Sequence, residues 1–191
     1  MRFSHVLVMA VLSSYLPALA QTGDRVMDTN KSVMRVHVYK AGMFSAFGHE
    51  HDVSAPIVEG NFNEQQPSAS LRVDARLLRV MDKDVSDQDR EKIQTTMLGP
   101  EVLDSQRFPQ ISFKSTSARR SGDGRWIVQG DLTLHSQTQP IKVEVEGRQG
   151  HYLGSSILKQ KDFGIQPVSV GGGTVKVKNE VKIEFEIFAK D

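Results

Sequence analysis

The sequence contains no cysteine and a single tryptophan. Without thiols there is no disulfide framework, no thiolate nucleophile and no cysteine-ligated metal, so the fold must rest on its core. An excess of charge of one sign is equally absent: 24 Lys+Arg stand against 23 Asp+Glu. A net charge of +1 gives no field to steer the chain toward nucleic acid or an anionic membrane. Past the first twenty residues no apolar run approaches the ~18 residues of a membrane span, so stable membrane insertion is not expected. Catalytic signatures are missing too. There is no G-x-S-x-G elbow, no P-loop and no dinucleotide fingerprint. Gly171-Gly172-Gly173 lacks the lysine and the spacing of a phosphate loop and reads as a hairpin.

What is present begins with the first twenty residues, which have the organisation of a secretory signal peptide. Arg2 is a basic start, Val6 to Leu12 a short apolar stretch, and Ala18-Leu19-Ala20 a small-residue cleavage site. Cleavage there starts the mature chain at Gln21, and no cysteine follows to accept a lipid. The expected location is the periplasm, or the medium after secretion. The remaining 171 of 191 residues suit one domain, 21–191, with a real core.

Period-two alternation runs through that domain and predicts half-buried strands. Met34, Val36 and Val38 alternate with polar residues, as do Val58, Gly60 and Phe62. Leu71, Val73, Ala75 and Leu77 form a third apolar face, and Ile111-Ser112-Phe113 begins a fourth strand. A fifth face holds Trp126, Val128, Gly130, Leu132 and Leu134, and a sixth Ile141, Val143 and Val145. A shorter seventh strand lies around 152–158, and the last face runs from Val175 to Ile187. Asn179 falls on that apolar face, so a bulge, a turn or a hydrogen bond must accommodate it.

One helix interrupts the strands. Ser86 and Asp89 read as a capping box before Arg90 to Leu98, and Gly99-Pro100 stops the run. A further turn is expected over 101–106, a short helical turn over 42–47, and a hairpin turn over 121–124. Asp82, Asp84, Asp87 and Asp89 lack the glycine and terminal glutamate of an EF-hand loop. They read instead as an acidic lead-in to the helix. Strands with one polar face each must bury the other in a sandwich or a barrel, and closure also removes exposed edges. The expected fold is all-β: an eight-stranded antiparallel barrel with one or two short helices.

Several stretches resemble, in order, the YceI-like family of polyisoprenoid-binding, lipocalin-like barrels. Leu103-Asp104-Ser105-Gln106-Arg107-Phe108-Pro109 running into Ile111-Ser112-Phe113-Lys114-Ser115 is similar to its helix, aromatic-Pro pair and strand. Gly130-Asp131-Leu132-Thr133-Leu134-His135 with Thr138-Gln139-Pro140-Ile141 resembles its hairpin, and Lys161-Asp162-Phe163-Gly164-Ile165 its basic-x-Asp-Phe-Gly segment. The resemblance implies a lipocalin-like barrel whose lumen holds a polyprenyl lipid or an isoprenoid quinone, without an established reaction. It further implies a periplasmic or secreted protein of a kind that often forms homodimers, and a membrane protein of the envelope is a candidate partner. Phe44, Phe47, Phe62, Phe113, Trp126 and Phe163 are the bulky candidates to line the lumen. Ordinary core packing is the alternative for each.

Phe47-Gly48-His49-Glu50-His51-Asp52 departs from the family's simpler glycine turn. In extended chain His49 and His51 face the same side and could share one metal or a haem, with Glu50 and Asp52 pointing away. Zinc needs at least a third protein ligand, which only His37, His135 or His151 could add. The same pair at the barrel mouth could instead grip a ligand head group. Three readings therefore stand: a carrier of an apolar isoprenoid, a metal- or haem-binding envelope protein, and a small enzyme that no acid, base or nucleophile constellation supports.

Overall fold

A computed structural model describes residues 23–41, 50–170 and 175–190. The first strands along the chain are β1 (Asp24–Val26), β2 (Val33–Ala41), β3 (His51–Ser54) and β4 (Ile57–Asn63). β5 (Ser68–Asp74) and β6 (Arg79–Val80) lead to helix α1 (Asp87–Leu98). Then follow β7 (Gln110–Gly122), β8 (Arg125–Leu134), β9 (Gln137–Arg148), β10 (His151–Lys159), β11 (Ser169–Val170) and β12 (Val175–Phe188). The eight runs of alternation correspond to β2, β4, β5, β7, β8, β9, β10 and β12. The count of eight is nevertheless short, because the described residues form twelve strands. The four additional strands have two to four residues each, too few for a period to show in sequence.

The pairing order β4-β5-β7-β8-β9-β10-β12-β2-β3 is antiparallel throughout. β3 runs on into β4 across Ala55-Pro56, so the path returns to the strand on which it began. Pro56 has no N–H for a ladder, and the chain there switches from pairing with β2 to pairing with β5. β1 completes the seam. It pairs with β4, and just beyond it Met27 bridges Ala189 at the end of β12. The product is an all-β barrel with its apolar faces turned inward.

Local departures from alternation have local causes. Leu77 does not continue the face of Leu71 and Val73; it is exposed, because Ala75–Leu77 forms a 3-10 turn and Leu78 is buried instead. Asn179 sits where the β12–β2 register shifts between Val177 and Val181, and its Oδ1 accepts a hydrogen bond from the Lys161 N–H. Helix α1 starts as the capping residue dictates, with Ser86 Oγ accepting from the Asp89 N–H, three residues earlier than Arg90. Gln94 fastens the helix to β6 by accepting from the Val80 N–H and donating to the Leu78 carbonyl. The hairpin turn is confined to 123–124, with Gly124 at φ 64°, where a β-carbon would be strained. The expected leader over 1–20 and the turn over 42–47 lie outside the described residues. Among those described, no helix is long and apolar enough to cross a membrane.

Candidate functional site

The inward faces of the strands do not fill the barrel. They enclose an apolar cavity of about 280 Å³ that runs between its two ends. That size sits at the lower end of small-molecule sites, which start near ~300 Å³. Val36 and Val38 of β2, Leu71 of β5, Val128 of β8, Val143 of β9 and Ile183 of β12 are typical of its wall. Space is left because inward glycines receive the bulkiest side chains. The Phe113 ring occupies the place of a β-carbon at Gly130, Phe185 does so at Gly154, and Met27 at Gly60. Each bulky group thus packs against the bare backbone of a neighbouring strand. Gly60 and Gly130 stood on inward faces in the sequence, but only the packing partner reveals what the missing side chain is for.

One end of the barrel is covered by α1 and the loop after it, through Met97, Val102 and the buried Leu103. The stretches that carry the family resemblance converge here. His135, at φ 50° in the β8–β9 turn, meets Phe108 edge-on at 4.5 Å, and its Nδ1 lies 3.2 Å from the Phe163 carbonyl. Gln139 donates to the Asp162 carbonyl at 2.9 Å, and Ser105 to the Leu98 carbonyl at 2.9 Å. The signature residues therefore brace this end.

At the other end the wall becomes polar. Glu64 Oε1 accepts from the Tyr152 hydroxyl at 2.9 Å and the Gly150 N–H at 2.9 Å, with Arg25 Nη1 at 3.5 Å. Burial, seconded by the Glu64 carboxylate, pushes the Tyr152 phenol up to about 12. Arg120 lies over the Trp126 ring, 4.8 Å from its centre. No reading of the sequence pointed to Arg25, Glu64, Arg120 or Tyr152 as a group. They come from four strands or turns far apart in the chain, and only the closed sheet gathers them.

Of the six aromatic candidates, Phe62, Phe113 and Trp126 border the cavity. Phe163 does not; it is buried, 1 % exposed, in the 3-10 turn Gln160–Phe163 near the braced end. Phe44, Phe47 and His49 lie outside the described residues. His51 stands opposite Val38 on the inner side of β3, and Val38 is in register with Val181, the partner of Leu158. That level is six residues along β10 from Tyr152, so His51 is not part of the polar rim. Its Nδ1 lies 2.6 Å from Oδ2 of Asp82, which is buried and whose Oδ1 accepts from the Asp52 N–H. Asp82 is thus set apart from the other acids before the helix. Asp52 faces outward, where it meets Arg35 at 2.9 Å and His37 at 3.8 Å. Among the described residues no three His, Asp or Glu side chains converge to hold a metal ion.

This barrel with its apolar bore matches a known family model. Residues 26–189 fit that of the YceI-like domain. The chain belongs to the YceI-like family. Relatives of this family member include a UPF0312 protein of Vibrio cholerae, 28 % identical, with 92 % of each chain covered. A UPF0312 protein of Vibrio parahaemolyticus is 26 % identical, over 88 % of this chain and 90 % of its own. Among solved structures, the barrel superposes on Burkholderia cenocepacia BcnA with a TM-score of 0.60 at 18 % identity, covering 86 % of this chain and 99 % of that one. A Campylobacter jejuni YCEI protein gives 0.50 at 11 % identity, covering 73 % and 82 %. These likenesses establish the YceI barrel.

Proposed function

We propose that this YceI-like protein is a periplasmic carrier that hides the apolar chain of an isoprenoid lipid or quinone inside its barrel, and that it catalyses no reaction. The observation that carries this reading is the apolar cavity of about 280 Å³ inside the barrel. The family's polyisoprenoid-binding character supports the same class of ligand. Phe62, Phe113 and Trp126 would contact the chain. An apolar chain gains ~0.8 kcal/mol for each methylene buried, so ten of them supply about 8 kcal/mol before ordering costs. Micromolar affinity needs about 8 kcal/mol net, so a chain burying more than ten methylenes against the wall is required to cover the ordering costs as well. Such a chain is insoluble in water, and moving it between membranes requires a protein that covers it.

Organic extraction of protein purified from the periplasm, followed by mass spectrometry, is the direct test. A co-purifying prenyl lipid or quinone is expected; an extract free of apolar ligand, from protein that also fails to take up added prenol, would overturn the reading. Export is part of it. Intact mass of the periplasmic protein should correspond to residues 21–191, and a retained leader or an added acyl mass would contradict it.

A further inference from the structure

Two short runs of the sequence repeat one pattern. Lys142-Val143-Glu144-Val145-Glu146 lies on β9 and Lys182-Ile183-Glu184-Phe185-Glu186 on β12. In each, the apolar residues border the cavity, so the lysine and both glutamates turn to the outside of the wall. The fold sets the two runs on either side of β10, at matching levels. Glu146 and Glu186 both stand opposite Leu153, and Glu144 and Glu184 both opposite Ser155. Lys182 stands opposite Ile157, and Lys142, two residues along β9 from Glu144, comes to the same level.

Between the two runs the outer face of β10 is apolar. Ile157 is 70 % exposed, more than any other large apolar side chain among the described residues, and Leu153 is 49 % exposed. Only the small Ser155 separates them. Lys142 meets Glu144 at 2.7 Å and Lys182 meets Glu184 at 2.6 Å, which balances the middle level. Each lysine keeps further N–H donors for a second carboxylate. At the level of Leu153 stand two glutamates, of which Glu186 has His151 at 2.8 Å. The face is thus acidic at one end, basic at the other and apolar along its middle.

Such a face is complementary to itself in one arrangement. A two-fold axis lying across the strands at Ser155 reverses the strand direction and exchanges the outer levels. Leu153 then meets the partner's Ile157, Glu146 the partner's Lys142, and Glu186 the partner's Lys182, each contact occurring twice. An axis along β10 would instead set Glu146 against the partner's Glu186 and Lys142 against the partner's Lys182, like charge on like.

We propose that the outer face of β9, β10 and β12 is an interface between two copies of this chain, related by the axis across the strands at Ser155. The contact is on the outside of the wall, so it stands whatever the cavity holds. The two bores lie side by side and open in opposite directions. Three strands and three side-chain levels make a patch of a few hundred Å² on each copy, below the ~800 Å² per partner of a standard interface, so the dimer is a weak one.

Sedimentation velocity of the mature protein, from micromolar to millimolar concentration, is the test. A monomer–dimer equilibrium is expected, weakened by salt. Ile157→Ser should weaken it several-fold at an unchanged melting temperature. Lys142→Glu/Lys182→Glu and Glu146→Lys/Glu186→Lys should each lower self-association about tenfold or more, since four exposed pairs become repulsive. An equimolar mixture of these two double variants should dimerise again, because the mixed pair restores all four contacts. A wild type that stays monomeric at millimolar concentration overturns the proposal and leaves the face to a different partner. A dimer that all three variants leave unchanged, or a mixture that stays as monomeric as its components, overturns it as well.

Discussion

The ring of Phe185 lies on Gly154 of the neighbouring strand, in the space that a β-carbon at residue 154 would need. The pair shows how this barrel, of a size whose interior is usually just filled by side chains, keeps its apolar cavity. Gly154→Ala would press on Phe185 and on the Glu144 carbonyl, which is backbone and cannot swing aside. Gly130→Ala meets the same combination in Phe113 and the Lys114 carbonyl, whereas Gly60→Ala meets only the flexible side chain of Met27. Overpacking of this kind costs about 1–3 kcal/mol. Thermal melts should therefore rank Gly154→Ala and Gly130→Ala well below Gly60→Ala. Equal melting temperatures for the three would mean that the rings do not depend on the glycines.

Leu132→Asp and Val143→Asp each place a carboxylate among apolar wall residues, since both side chains are buried. An unpaired buried polar group costs several kcal/mol, and an ionised one more. Lys142 is exposed and pairs with Glu144 at 2.7 Å on the outer face. Its exchange for Asp should stay within about ±0.5 kcal/mol, the ordinary range for surface changes. Urea midpoints measured on the three proteins check the assignment of faces, which fails if Lys142→Asp is as damaging as the other two.

Much of this barrel was legible in sequence because one face of each long strand is apolar, and period two marks it whatever the neighbouring strand is. The family stretches were legible for a different reason: they brace one end, and turn geometry such as that at His135 and Gly164 restricts which residues serve there. Short strands were not legible. β3 follows from its pairing with β2, and the two residues of β6 from theirs with β3. Leu77 was misplaced because a 3-10 turn ends the strand without any glycine or proline to announce it. The polar rim was the least accessible. Arg25 and Tyr152 are 127 positions apart, and each looks like an ordinary surface residue until the seam between β1 and β12 closes.

His51, a candidate ligand with His49 in the sequence, has a structural contact of its own with Asp82. Asp82 keeps 4 % of its side chain exposed and takes its hydrogen bonds from His51 and the Asp52 N–H. His51→Ala would leave one of its oxygens buried without a donor, at a cost of about 1–3 kcal/mol. Asp82→Asn should be milder, because its amide can still accept from Asp52 and face the imidazole. Chemical denaturation of both variants tests this; a His51→Ala protein as stable as the wild type would show that the contact contributes nothing.

Tyr152 makes the rim visible to pH. Its phenol is held up to about 12 from an ordinary 10.0, first by burial and then by donating to the Glu64 carboxylate. A proton held more tightly in the folded than in the unfolded chain stabilises the fold fully below the unfolded value, near pH 10, and that contribution fades as the pH climbs toward 12. Absorbance titration of phenolate should therefore show a step near pH 12 that Tyr152→Phe removes. The same substitution should flatten the alkaline fall in melting temperature between pH 10 and 12, since no proton remains there to lose. Glu64→Gln takes away the charge that seconds burial, so it should move the step downward without abolishing it. A wild-type step already complete at pH 10, or one that Glu64→Gln leaves where it was, would show that the hydroxyl does not sit on this carboxylate in solution.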